Sequence, residues 1–324
     1  MKRYCLFLIA VLLLAGCASA EESAQPLPEA TVLPVQTLPR EAVEAEAAAM
    51  AEEVPPPTGL VLEPEASGER EQRSDGAVVD YSHAEDGYVM ACYFGETDKR
   101  LKLLLKGPGT TYHYDLPRGQ WVVLPLSDGN GDYQAGIYRN VSGTSYAMVM
   151  TAEFTVALKD EFAPFLRPNQ YVNYLDAPNT VTLGAELCAG LDHPLHKVAA
   201  VYEYVVRNLR YDEEKAATVQ SGYLPKLDEI LTIKKGICFD YAALMTAMLR
   251  SQQVPCKLVV GYAGSIYHAW ISVWTEENGW IDGAIFFDGH AWKRMDPTFV
   301  SSAENREEIL EFVENGNYTV KYLY

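Results

Sequence analysis

The sequence predicts an α+β fold in which a helix bearing a cysteine packs on an antiparallel sheet, preceded by a small β-sandwich. Three observations carry that prediction. Short apolar runs broken by Gly, Pro and Asp fill residues 76–160, the rhythm of strands and tight turns. Three- and four-residue apolar spacing takes over after Pro178, and alternating runs return from Lys257 onward. The chain has 324 residues, 48% hydrophobic and 22% charged, the composition of a soluble globular protein. Its 26 Lys plus Arg against 44 Asp plus Glu leave a net charge of −18, which excludes a phosphate-tracking surface and with it nucleic acid as a partner.

At the N-terminus Lys2 and Arg3 precede an apolar run, Leu6 to Leu14, that is too short to span a bilayer. Leu14-Ala15-Gly16-Cys17 looks like a bacterial lipobox, so residues 1–16 read as a lipoprotein signal peptide and Cys17 as the lipidated residue. Ala18-Ser19-Ala20 offers an alternative cut after Ala20, and both versions export the protein. The expected location is the extracytoplasmic face of a bacterial membrane. From Glu21 to Asp75 there are 13 acids, three arginines, eight prolines and no Phe, Trp or Tyr. Such a stretch buries too little apolar surface to offset chain entropy, and residues 17–75 are expected to form an acidic, disordered tether.

Residues 76–160 are expected to form the sandwich. Its strands are Tyr88–Tyr93, Leu101–Leu105, Tyr112–Tyr114, Trp121–Leu124, Tyr133–Tyr138 and Tyr146–Val156. Asp128, Asn130 and Asp132 begin like a calcium loop, but Tyr133 stands where that loop needs Gly and Arg139 where it needs a bidentate Glu, so the stretch reads as a hairpin turn. Residues 161–324 form the second expected domain. Leu195, Val198, Tyr202, Val205 and Leu209 mark one helix behind Asp192 and Pro194, and Cys238, Ala242, Met245 and Leu249 mark another. Strands follow from Lys257 to Tyr262 and from Tyr267 to Trp274.

The chemistry concentrates in this second part. Gly236-Ile237-Cys238 places a cysteine in the first turn of a buried helix, where unpaired N–H groups and the helix dipole favour thiolate. His268 opens an alternating strand, where an imidazole projects from one sheet face toward a helix terminus. Asp296 stands at the end of a further strand, just before Pro297, and is placed to hold the histidine tautomer.

Taken together, Gly236-Ile237-Cys238, Leu249-Arg250, Val254-Pro255, His268-Ala269-Trp270 and Trp292 to Thr298 resemble the transglutaminase-like superfamily over about residues 190–300. The resemblance implies a papain-like Cys-His-Asp triad with Cys238 as nucleophile, His268 as base and acid, and Asp296 as the residue orienting it. Trp280-Ile281-Asp282 followed by Phe286, Phe287 and Asp288 departs from the pattern, adds a stretch expected to form a hairpin, and leaves Asp282 as a competitor for the third position.

The implied reaction is attack on an amide of a protein, peptide or cell-wall substrate to give a thioester, resolved by water or by a lysine amine. The backbone N–H of Cys238 is one oxyanion donor, and the hydroxyl of Tyr211 or Tyr223 is a second. A non-catalytic binding module of the same fold is the competing reading. His193 and His196 lack partners at metal-ligand spacing, and no phosphate loop or dinucleotide fingerprint occurs, so neither a metal nor a cofactor is implied. Cys92, Cys188 and Cys256 follow no pairing rule and read as buried thiols or a single bridge.

Overall fold

The computed structural model describes residues 58–282, the backbone of 285–287 and 292–294, and residues 318–324. The signal peptide, Cys17 and Asp296 lie outside the described residues.

The first layer is a sandwich of eight strands. They are β1 (Glu71–Arg73), β2 (Ala77–Asp80), β3 (Tyr88–Tyr93), β4 (Leu101–Lys106), β5 (Thr111–Asp115), β6 (Val122–Pro125), β7 (Gly131–Ser142) and β8 (Ser145–Val156). Two antiparallel sheets result, ordered β1-β2-β3-β6 and β5-β4-β7-β8. Alternation explains the inner faces. Leu101, Leu103 and Leu105 of β4 and Tyr112 and Tyr114 of β5 are buried, while Lys102, Leu104 and His113 between them are not. The calcium-like turn is a structural hub whose acceptors are already engaged. Asp128 accepts from the Gly109 and Thr110 N–H groups and from the Tyr112 hydroxyl, and Asn130 accepts from Leu158 N–H.

The expected end of the tether at residue 75 needs correction, because residues 58–75 pack on the folded unit. β1 pairs with β2, Leu60 N–H donates to Ser251 C=O, and Glu65 N–H donates to the Tyr88 hydroxyl. Gly68 N–H donates to the carboxylate of buried Asp80, and Ala66 covers a small cluster of Tyr88, Met90 and Val123 on the outer face of β3. The lack of aromatic residues hid this segment, since it is held by backbone hydrogen bonds and small aliphatic contacts.

The second layer opens with α1 (Pro178–Cys188) and α2 (Pro194–Asn208), then β9 (Arg210–Tyr211), α3 (Glu213–Thr218), α4 (Leu227–Ile233) and β10 (Lys235–Gly236). The N-cap of α2 is His193 rather than Asp192, with Nδ1 accepting from Leu195 N–H. α5 (Cys238–Ser251) follows, buried at every residue from Asp240 to Ser251. It is sandwiched by α1, α2 and α4 on one side and by β11 (Cys256–Ala263) and β12 (Ile266–Thr275) on the other. β13 (Gly279–Asp282), the short hairpin β14 (Ile285–Phe287) and β15 (Trp292–Arg294), and β16 (Tyr318–Leu323) complete the order. The main sheet runs β13-β12-β11-β16, antiparallel throughout. Thus the expected α+β architecture is present, and the departing stretch after Asp282 does contain a hairpin. No helix among the described residues is long and apolar enough to cross a membrane.

Arg250 locks the end of α5. It is fully buried, and its guanidinium donates to the main-chain oxygens of Cys256, Arg167 and Tyr324. One side chain thereby ties the central helix to β11, to β16 and to the segment joining the two layers.

A chain beginning at Gly76 is expected to melt at least about 5 °C below one beginning at Pro55, the shift for a loss of about 2 kcal/mol in a domain of this size. Thermal unfolding of the two truncations checks this, and equal midpoints would show that residues 58–75 contribute nothing.

Candidate active site at the start of the buried helix

The site is built from the turn that enters α5. β10 pairs in parallel with β9, which sets Gly236 opposite Tyr211 and aims the chain at the helix start. Ile237 is extended (φ −99°, ψ 175°) and has no side-chain oxygen, so the first-turn N–H groups receive no cap from it. Asp240, in the third helical position, reaches back and accepts from Ile237 N–H at 2.9 Å. Gly236 makes room for this contact, because a Cβ there would lie 2.8 Å from Cβ of Asp240. The result is a cysteine, Cys238, half-exposed at the mouth of a helix that is otherwise buried.

Asp240 is itself fully buried and fully engaged. Besides Ile237 N–H it accepts from the Lys215 ammonium at 2.6 Å and from the Tyr223 hydroxyl at 2.6 Å. This settles the part played by Tyr223, whose proton is committed to Asp240 while its oxygen accepts from Lys215. Burial together with the Asp240 carboxylate raises the Tyr223 phenol well above its ordinary range. The sequence reading missed Asp240 and Lys215 altogether. A signal for the first was present, since an acid three residues past a helix N-cap is a helix-start feature.

His268 sits on β12 opposite Gly261, buried, its ring stacked on Trp270 at 6.2 Å between centroids. Gly261 is obligatory there, because a Cβ would lie 2.0 Å from the Thr319 carbonyl and 2.9 Å from the Trp270 ring. β16 and Trp270 therefore close on β11 only over a glycine.

Cys238 and His268 face one cleft of about 630 Å³. Its walls are aromatic and include Tyr211, Tyr267 and Phe239, with Tyr171 and Tyr324 in mutual ring contact beside Phe239. The sandwich contributes directly. His113 of β5 lines the cleft, and its carbonyl accepts from the Tyr171 hydroxyl at 2.7 Å. Burial, and then the Lys102 and Lys321 ammonium groups, lower the His113 pKa, which favours neutral imidazole. Among the described lining residues there is no Asp, Glu, Lys or Arg, although the chain carries a net charge of −18.

Of the two carboxylates in competition, Asp282 is exposed and pairs with Ser272, four residues along β12 from His268 and so about 13 Å away along the strand. It contributes to the surroundings of Lys257, whose ammonium lies over the Trp280 ring, and it does not line the cleft. Asp296 lies outside the described residues. His193 caps α2 and faces Glu277 at 3.6 Å, and no group of three metal-ligating side chains occurs among the described residues.

Residues 181–283 match the family model of the transglutaminase-like superfamily core, a stretch that opens in α1, carries both Cys238 and His268, and ends just past β13. Over these residues the chain is similar to a transglutaminase-like core. The chain is 28% identical over 132 residues to the uncharacterized protein YebA of Bacillus subtilis (strain 168), covering 33% of this chain and 18% of that protein. It is also 28% identical over 98 residues to a protein-glutamine gamma-glutamyltransferase of Pseudomonas aeruginosa, covering 26% of this chain and 13% of that protein. The chain thus matches less than a fifth of either relative. Among solved structures, a provisionally assigned cysteine protease from Cytophaga hutchinsonii aligns at 16% identity and TM-score 0.35, covering 73% of this chain and 83% of that one. Red sea bream transglutaminase aligns at 12% identity and TM-score 0.28, covering 72% and 56%. Superpositions that loose transfer no property of the site.

The four described cysteines stand in two different environments. Cys92, Cys188 and Cys256 are buried free thiols, and burial pushes Cys188 and Cys256 up to about 11 and Cys92 in the same direction. At neutral pH they stay protonated and shielded, whereas Cys238 opens on the cleft. Iodoacetamide at pH 7.5 is expected to alkylate Cys238 at least about a hundredfold faster than the other three, read peptide by peptide in a mass spectrometer. Comparable rates at all four would remove the distinction.

Proposed function

We propose that this protein is an exported, lipid-anchored transglutaminase-like cysteine enzyme that opens amide bonds through Cys238, His268 and Asp296, with water as the acceptor. The single observation that carries the reading is the meeting of Cys238 and His268 in one aromatic cleft at the N-terminus of α5. In this mechanism His268 takes the Cys238 proton, and the sulfur adds to the amide carbon. The tetrahedral oxyanion is held by the Cys238 N–H, with Tyr211 of the cleft wall as the second donor. The protonated His268 then donates to the leaving nitrogen as the C–N bond breaks, leaving a thioester. Water, deprotonated by the same imidazole, adds to that thioester and releases the acid and the free thiol. Asp296 orients His268 throughout, as the motif Trp292 to Thr298 implies.

A cleft without charged side chains suits the neutral amide of a protein, peptide or cell-wall polymer. Cys17 would hold the enzyme at the outer surface of the membrane, a placement that the mass of the mature N-terminal peptide tests directly. A second reading, transfer to a lysine amine, is favoured by the name of the Pseudomonas aeruginosa relative. Water is the preferred acceptor because an exported site is bathed in it.

Incubation of the full chain with glutamine-containing peptides and a primary amine, followed by mass spectrometry, is expected to give cleaved or deamidated products. Cys238→Ala should abolish them, and Asp296→Ala should lower turnover by about 10³-fold or more, while Asp282→Ala stays within about threefold. Dominant amine incorporation would reassign the acceptor. No Cys238-dependent product across a broad substrate set would leave a binding module.

A further inference from the structure

The first turn of α5 carries an apparent contradiction. A buried carboxylate two residues beyond a nucleophilic cysteine opposes the negative charge that the sulfur must carry, since like charges in a poorly solvated site raise one another's cost. Asp240 is such a group, with no exposed surface of its own. Its position is structurally required, because it holds Ile237 N–H and packs over Gly236.

The geometry points to Lys215 as the positioning residue that resolves this conflict: its ammonium cancels the Asp240 charge, and so lowers the cost of negative charge on the Cys238 sulfur. This deepens the proposed reading of Cys238 as a nucleophile and rests on it. The ammonium is 2.6 Å from one carboxylate oxygen, and the Tyr223 hydroxyl donates to the other at 2.6 Å, so both oxygens are engaged. Lys215 lies over the Tyr223 ring as well, at 4.2 Å from its centre. Its side chain approaches from a second depression of about 430 Å³ and does not line the cleft that holds the thiol. It therefore acts on Cys238 through Asp240 rather than by touching substrate.

The local chain is organised to deliver this cation. α3 buries none of its own residues, so packing does not explain its attachment. Asp212 caps it by accepting from Lys215 N–H, and Asp212 is itself paired with Lys235, which leaves the Lys215 ammonium to Asp240 and Tyr223. Among the described residues, the other titratable groups lining the cleft are His268 and Tyr267 of β12, Tyr211 of β9, His113 of β5 and the phenols of Tyr171, Tyr322 and Tyr324. Burial raises the Tyr267, Tyr171 and Tyr324 phenols and the lowered His113 favours its neutral form, so none of these replaces the cation at Asp240.

The test is the pH profile of Cys238 alkylation by iodoacetamide in the full chain, with Cys92, Cys188 and Cys256 as internal controls. Lys215→Met is expected to move the Cys238 midpoint up by about one pH unit, slowing alkylation at pH 7 roughly tenfold. Lys215→Met combined with Asp240→Asn removes both charges and is expected to bring the midpoint back to that of the parent. Lys215→Arg, which keeps the cation, should stay near the parent and serves as the reading if Lys215→Met fails to fold. A midpoint that stays put in Lys215→Met while the melting temperature falls, or one that moves equally in Lys215→Arg, would make Lys215 merely structural and overturn the inference. Alkylation needs no substrate, so a Lys215 effect without any amide turnover would refute the proposed enzyme and not this coupling, and turnover without the effect would do the reverse.

Discussion

From Asp240 to Ser251 the central helix α5 is buried on all sides, so its backbone can meet polar partners only at its two ends. Both ends are used, in opposite ways. At the C-terminal end, Arg250 gives its guanidinium to three main-chain oxygens drawn from three segments, which fixes the helix against the sheet and against the joint between the layers. At the N-terminal end the hydrophobic Ile237 supplies no cap, and Asp240 reaches back to one N–H only. Donor capacity and a favourable dipole are thus left at the point where Cys238 meets the cleft. Burial of the helix is what gives that dipole force, since in water the same charges would be screened.

The surroundings of the cleft follow from the same constraint. Although the chain is acidic, the described lining of the cleft carries no carboxylate side chain, and the nearby Asp240 is paired with Lys215. Tyrosines take the place of carboxylates there. They offer hydroxyls that hydrogen-bond without carrying charge, and burial keeps Tyr171, Tyr223 and Tyr324 protonated well above the ordinary phenol range. The sandwich joins in this construction, since His113 forms part of the wall and the Tyr112 and Tyr114 rings meet Tyr324. The two layers share one core, and the sandwich shapes the cleft in addition to preceding it along the chain.

What could be read from the sequence was what repeats or what sits in a short motif. The alternation in Leu101 to Leu105 and in Tyr112 to Tyr114 locates strands of the sandwich to within a residue or two, and the apolar spacing from Cys238 to Leu249 locates α5. Cys238 and His268 were legible because each stands at a recognisable place on a helix or strand, and they do share a cleft. Long-range partners were not legible. Lys215 and Asp240 are 25 positions apart, and nothing local in Asp212 to Thr218 says that its lysine points inward. Residues 58–75 looked unstructured because order there comes from backbone hydrogen bonds to Ser251 and β2, which leave no mark in composition. The choice between Asp282 and Asp296 likewise depended on register, and pairing with Ser272 places Asp282 well down the strand from His268.

In the proposed mechanism Cys238 and His268 act as a pair in which the imidazole takes the thiol's proton. The most direct measurement is the titration of the His268 ring by NMR in the parent chain and in Cys238→Ala. If the two form a thiolate–imidazolium pair, the imidazolium in the parent persists to higher pH by about one unit or more than in the variant. Identical midpoints in the two proteins would contradict the account, because they would mean that His268 carries its proton without reference to the sulfur across the cleft.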